Sequence, residues 1–245
     1  MITFYTTCKP FNTSRIIQIQ HDAISSWLQL TPRPNVVVMG KDAGSADFCR
    51  MKDITNFVDM EYNEYGIPLL SSMLEKAEEI SQDNLFLLIS SDIVIEQKVM
   101  DAIQIISSQL KEFCAVCRRT ETDCIYPIDF TDPDWFKKIG EDKTNHYCSL
   151  TSGDFFMYSR DYWPKMPKFS VGRCWCDSWL FYEASQKGNL VDLTEFTPIY
   201  HVRHDYSHLY ESNEFETNKA LAGSKIGDVS SANWKITKEG ELVRK

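Results

Sequence analysis

Short apolar runs alternate with amphipathic stretches through the first half of the chain, and this alternation restricts the fold more than any other feature. The runs ITFYTT (2–7), NVVVMG (35–40), TNFVDM (55–60), NLFLLISS (84–91) and EFCAVCRR (112–119) read as strands. Between them, SRIIQIQHDAISSWLQL, ADFCRMKD, YGIPLLSSMLEKAEEIS and EQKVMDAIQIISSQL read as helices. Ser14 is the expected N-cap of the first, whose apolar face comprises Ile16, Ile17, Ala23, Ile24 and Trp27; Pro68 is expected in the first turn of the third. Strands and helices in alternation predict an α/β fold, a mostly parallel central sheet flanked by helices in a single domain. Ligands of such sheets sit outside the carboxyl ends of the strands, which here carry Thr6, Thr7, Cys8, Gly40, Ser90, Ser91 and Asp92.

The second half is less regular. DPDWFKKIG predicts a short helix, SGDFFMYSR a strand, CDSWLFYEASQKG a helix ending at Gly188, and NLVDLT and FTPIYHV two further strands. From about residue 211 the chain turns polar, and the sequence leaves open whether 211–245 is an arm over the site or a loose tail.

Charge and cysteine usage narrow the class. A net charge of −9, with CRRT as the only adjacent arginine pair, argues against a general nucleic-acid binder. The N-terminus lacks a basic stretch followed by a long apolar one, and no apolar run approaches the ~20 residues of a bilayer span, so a soluble protein is expected. The eight cysteines form no regular disulfide framework, which favours a reducing cytoplasm. Cys114 and Cys117, with Cys124 and Cys148, number enough for a zinc site. In a strand, however, Cys114 and Cys117 point to opposite faces, so small buried residues are the competing reading.

One carboxylate stands out. In LLISSDIVI (87–95), Asp92 follows a buried-type strand and precedes another apolar run, a costly place for an ionised group without a partner. IYHVRHDYSH supplies His201, His204 and His208, three of the five histidines in the chain. One aspartate and one histidine, completed by phosphate oxygens and water, suit Mn²⁺ or Mg²⁺. The alternative is that these are surface or hydrogen-bonded histidines.

The ordered series TTCKPF, AISSW, NEYGIPLL, LFLLISSDIVI, GDFFMYSRDYW, VGRCWCDSWL and HVRHDYSH resembles GT-A-type glycosyltransferases over roughly residues 1–210. It is closest to a bacterial and viral group whose strand-end motif reads like N-x-D-I. The resemblance implies a catalytic domain at 1–210, with a nucleotide-binding half at 1–120 and an acceptor half at 121–210. It implies transfer of a sugar from a nucleotide-diphosphate donor, by default a UDP-sugar, to a glycan or other hydroxyl acceptor, assisted by Mn²⁺ or Mg²⁺. Asp92 looks like the aspartate of the D-x-D motif, and Ser90 stands where a full motif has its first Asp. His204, or else His201, would complete the metal site. Thr6, Thr7 and Cys8 would offer backbone groups to base and ribose, and Gly66 would let the backbone pass close to the nucleotide, or is simply a turn glycine before a helix.

Transfer places new negative charge on the leaving diphosphate, which a metal and cations stabilise; Arg118, Arg119, Arg173 and Arg203 are candidates. An inverting reaction also needs a base for the acceptor hydroxyl. By the resemblance, Asp177 matches that base, with Cys176 in place of a preceding acidic residue; helix N-cap is its other reading. Asp154 is expected near the sugar, or at a strand end. Trp175 and Trp179 can offer a sugar an apolar face, or belong to the core. A sugar nucleotidyltransferase, a non-catalytic nucleotide-sugar-binding module and a zinc-stabilised interaction protein are the alternatives. The first usually has a Gly-rich loop after strand one, which TTCKPFNTSR lacks.

Overall fold

The computed structural model describes residues 1–123, 127–204 and 213–245. His208 and Cys124 lie outside the described residues. In chain order the elements are β1 (Ile2–Thr6), α1 (Ser14–Leu28), β2 (Asn35–Met39), α2 (Ser45–Lys52), β3 (Thr55–Phe57), α3 (Leu70–Ile80), β4 (Leu85–Ile89) and β5 (Ile93–Val94). Next come α4 (Lys98–Ser107), β6 (Cys114–Val116), β7 (Thr120–Thr122), α5 (Trp135–Gly140), β8 (His146–Tyr147), β9 (Phe155–Ser159) and α6 (Cys176–Gln186). The chain finishes with β10 (Leu190–Asp192), β11 (Tyr200–Val202), α7 (Asn213–Ala222), β12 (Trp234–Ile236) and β13 (Leu242–Arg244).

Among the described residues, nine strands form one sheet in the order β13-β12-β10-β6-β9-β4-β1-β2-β3. The α/β expectation holds: β3, β2, β1 and β4 run parallel, as do β6, β10 and β12. β9 lies antiparallel between β4 and β6, with Phe155 opposite Ile89 and Phe156 opposite Val116. Its start therefore reaches the same rim as the ends of β4 and β6. Residues alternate across the sheet into two cores. Phe4, Val36, Val38, Leu87 and Met157 pack with Trp27 of α1 and Ala102 of α4. Tyr5, Val37, Phe86 and Tyr158 pack with Met73 of α3 and Phe181 of α6.

Details of the sequence reading shift at element ends. Thr13, not Ser14, caps α1, its hydroxyl accepting from Ile16 N at 3.3 Å. Ile17 is 42 % exposed and leaves the apolar face, which Ile19 joins instead. Pro68 lies before α3, bridged to Tyr62, and Leu69 takes the cap position. Gly188 ends α6 with φ +76°, a conformation glycine adopts without a Cβ clash. Cys114 belongs to one core and Cys117 to the other, the opposed placement that strand alternation predicts. Residues 213–222 form a helix against α6, and β12 and β13 extend the sheet at its edge.

A second sheet, β5-β11-β7-β8, stands at the rim. β11 pairs antiparallel with β5 and parallel with β7, so His201 sits opposite Ile93 on one side and Glu121 on the other. This small sheet brings the C-terminal histidines to the end of β4.

Candidate active site

Asp92 follows β4 by three residues and is 7 % exposed. The backbone after it is fixed by β5 and by Trp27, whose Nε1–H donates to the Ile93 carbonyl at 2.8 Å. Three nitrogen groups converge on one carboxylate oxygen, Oδ2: Lys9 Nζ at 3.1 Å, His204 Nε2 at 3.0 Å and His201 Nε2 at 3.4 Å. The other oxygen, Oδ1, is buried and has no hydrogen-bond partner. Burial alone pushes the carboxyl upward, but His201 and Lys9 outweigh it and hold Asp92 well below the usual carboxylate range.

His201 is itself supported. Its Nδ1 faces Glu121 Oε2 at 3.0 Å, and Glu121 Oε1 accepts from Arg119 Nε at 2.9 Å. Burial disfavours the charged ring, yet Asp92 and Glu121 together raise His201 to about 9. Burial raises Glu121 less than His201 and Arg119 lower it, and it falls to about 2.

The donor set fits a divalent cation. Asp92, His201 and His204 each present a ligand atom within 4.8 Å of the others. Separations of 3.0 and 3.4 Å from Asp92 Oδ2 match neighbouring ligands on a metal with bonds of about 2.1 Å. The orphaned Oδ1 is an oxygen that a cation or its water would satisfy. The Glu121–His201 contact is the carboxylate–histidine pairing that orients a metal-ligating imidazole.

Arg119 continues the network outward by pairing with Asp154, whose other oxygen accepts from Ser90 Oγ at 2.8 Å. Asp154 thus binds Ser90 and Arg119 at the start of β9. Close by, Asp177 lies in the first turn of α6 and accepts from Gly153 N at 3.2 Å. The cap position belongs to Trp175, in a left-handed conformation (φ +66°), so the N-cap reading of Asp177 does not hold. Burial and the charge of Asp154 push Asp177 up to about 6.

The remaining sequence candidates spread along the rim. Ser91 is buried and donates to Gln20 Oε1 at 3.0 Å. Thr6 and Cys8 are buried and Thr7 half-buried at the end of β1. Gly40 ends β2, its N–H donating to Phe57 O at 2.9 Å. Gly66 is exposed, with φ +78° in a turn closed by its N–H on Asn63 O at 3.0 Å; a Cβ there would meet no atom within 4 Å. Arg118 is turned away from Asp92, onto the Cys148 carbonyl at 2.7 Å and the Tyr147 ring. Arg203 pairs with Asp123, and Arg173 binds the Gly172 carbonyl. Trp179 is buried in the core, whereas Trp175 is half-buried against Phe215. Two important residues were missed by sequence reasoning, Lys9 and Glu121. Lys9 stands inside the TTCKPF motif, three residues after β1, and a charged residue so close behind a strand end was a usable signal.

The cation-type cluster lies at the carboxyl rim of an open α/β sheet, where the ligands of such folds bind. The sequence matches no protein-family model and no curated protein. Solved structures match over most of the chain. TarS 1–349 of S. aureus, in complex with UDP-GlcNAc, superposes with a TM-score of 0.56 at 9 % identity, covering 91 % of this chain and 66 % of that one. GalNAc-T7 with UDP, GalNAc and Mn²⁺ gives 0.55 at 13 %, covering 90 % and 48 %. The mannosyltransferase PcManGT from Pyrobaculum calidifontis, with GDP-Man and Mn²⁺, gives 0.52 at 12 %, covering 85 % and 58 %. The chain spans about two thirds or less of the length of these structures. Their shared architecture is the GT-A glycosyltransferase fold, and this chain has it. Among the described residues no helix is long and apolar enough to cross a membrane.

Proposed function

We propose that this chain is a metal-assisted glycosyltransferase taking a sugar from a nucleotide-diphosphate donor, a UDP-sugar first among the choices, to a hydroxyl acceptor. The observation that carries the reading is the cluster of Asp92, His201 and His204 at the rim of a GT-A sheet, with one carboxylate oxygen orphaned. Mn²⁺ or Mg²⁺ fits that cluster, and when bound it would supply Lewis-acid stabilisation of the leaving diphosphate. Similar structures are complexes with UDP-GlcNAc, UDP and GDP-Man, two of them with Mn²⁺, which supports the donor class.

The surroundings of this chain's residues support a role for each. Asp92 and His204 would hold the cation, with His201 oriented by Glu121. Thr6, Thr7, Cys8, Gly40, Ser90 and Ser91 border the nucleotide along the rim, and Gly66 and Arg118 lie at its margins. Asp177 removes the acceptor hydroxyl's proton as the new glycosidic bond forms, a direct displacement that inverts the anomeric carbon. A carboxyl pushed up to about 6 is ionised at neutral pH yet more basic than an ordinary aspartate, which suits that step. Asp154 holds Ser90 and Arg119 beside it and keeps the base raised. Residues 1–120 then form the nucleotide half and 121–210 the acceptor half.

The test is donor hydrolysis. Incubation with a panel of nucleotide-sugars and Mn²⁺ should release nucleoside diphosphate from one of them. Asp92→Ala should abolish metal-dependent nucleotide binding, measured by calorimetry; binding unaffected by that change would sink the reading.

A further inference from the structure

Lys9 stands where a cation belongs. Its ammonium lies 3.1 Å from Asp92 Oδ2 and 2.5 Å from His204 Nε2. An ammonium only donates, so Asp92 Oδ2 accepts from Lys9, and His204 Nε2 lies on that same oxygen. A divalent cation held by Asp92 and His204 needs that same carboxylate oxygen and that ring nitrogen. The two atoms are 3.0 Å apart, so the space that they jointly face holds one cation, not two.

The rest of Lys9 is built for exchange. Its backbone is clamped by Gln20, whose Oε1 accepts from Lys9 N at 2.6 Å and whose Nε2 donates to the Lys9 carbonyl at 3.0 Å. Gln20 is buried and holds Ser91 as well, so the main chain at Lys9 is tied to the segment carrying Asp92. The side chain, by contrast, is 33 % exposed. A tethered ammonium on a fixed backbone can leave the carboxylate and swing to another anion without disturbing the strand.

We propose that Lys9 is an intramolecular competitor for the cation site, exchanging with the divalent metal and, once displaced, pairing with the diphosphate of the donor. The inference rests on the metal reading above. Metal on its own must displace Lys9 with no new anion to receive it, whereas metal and nucleotide together give the ammonium a second partner. Binding of the two is therefore cooperative through Lys9, beyond any direct contact between them. A site free of its competitor one tenth of the time binds metal about tenfold more weakly than the open site.

The experiment measures Mn²⁺ binding by electron paramagnetic resonance, and UDP binding by calorimetry, for the wild type, Lys9→Met and Lys9→Gln. Both variants should bind Mn²⁺ alone about tenfold tighter and bind UDP in saturating Mn²⁺ more weakly, so that UDP enhances Mn²⁺ affinity by a smaller factor. A parallel measurement on the wild type needs no variant. Acylation of the Lys9 amine, followed by peptide mass spectrometry, should rise with Mn²⁺ alone and fall again when UDP joins it. Unchanged Mn²⁺ affinity in folded variants, or labelling of Lys9 indifferent to Mn²⁺, overturns the exchange while leaving the metal site standing. Mn²⁺ binding that Asp92→Ala does not weaken overturns the metal reading itself, and the exchange with it.

Discussion

Asp177 owes its character to two neighbours acting in opposite senses. Burial and then Asp154 raise its pKa, while the Gly153 N–H lowers it, and about 6 is the outcome. Its base form therefore fills as pH rises through about 6, and transfer should lose close to tenfold per unit below that point and level off above it, read from a pH–rate profile. Asp177→Asn should leave UDP binding near wild type and cut the transfer rate by about 10²–10⁴-fold, measured as product formation at saturating donor. Glu121→Gln removes the charge behind His201 and should weaken Mn²⁺ by about 10–100-fold, measured by titration. At this scale much was legible: Asp92, His201 and His204 were singled out from their spacing and flanks, and they meet. Glu121 was not, because its partner is set by strand register between residues 80 apart. Arg118 was marked as a cation for the site, but the Cys148 carbonyl claims it, and its neighbour Arg119 faces inward.

Elements decide how firmly those residues are held. α1 lies under the loop of Asp92, and Trp27 joins the two through its hydrogen bond to Ile93. Trp27→Phe should cost about 1–3 kcal/mol in urea unfolding by leaving the Ile93 carbonyl one donor short. The junction of β9 and α6 is equally tight. A Cβ on Gly153 would come within 2.6 Å of Asp177 Cβ and 2.7 Å of the Phe156 ring, so Gly153→Ala should destabilise the fold by about 1–3 kcal/mol and slow transfer by displacing Asp177. Long elements such as α1, α3 and β4 show in the sequence because their apolar periodicity extends over several residues. β5 and β8 have two residues each, too few to show a period, so the second sheet was invisible. That sheet is what delivers His201.

On the scale of the whole molecule, the sheet is one continuous layer whose rim collects functional groups from both directions. β4 brings Ser90 and Asp92 at its end, and β9 brings Asp154 at its beginning. The parallel half was legible from alternating strands and helices, whereas the reversal of β9 was not, because orientation depends on contacts across the layer and not on local pattern. A chain ended after Gly227 would lose β12 and β13 and bare the edge of β10, and it should melt earlier and associate, as checked by thermal denaturation and size-exclusion chromatography.

The placement of β9 also governs the order of assembly on the ribosome. Both of its flanking strands are synthesised first, β4 by residue 89 and β6 by residue 116, and neither can be zipped to the other until 155–159 has emerged. A nascent chain of that intermediate length presents two unfinished seams in the middle of its sheet, where stray pairing does the most harm. Closure of these seams precedes the synthesis of Asp177, His201 and His204, so a partly made copy has a continuous sheet before it has a complete candidate site.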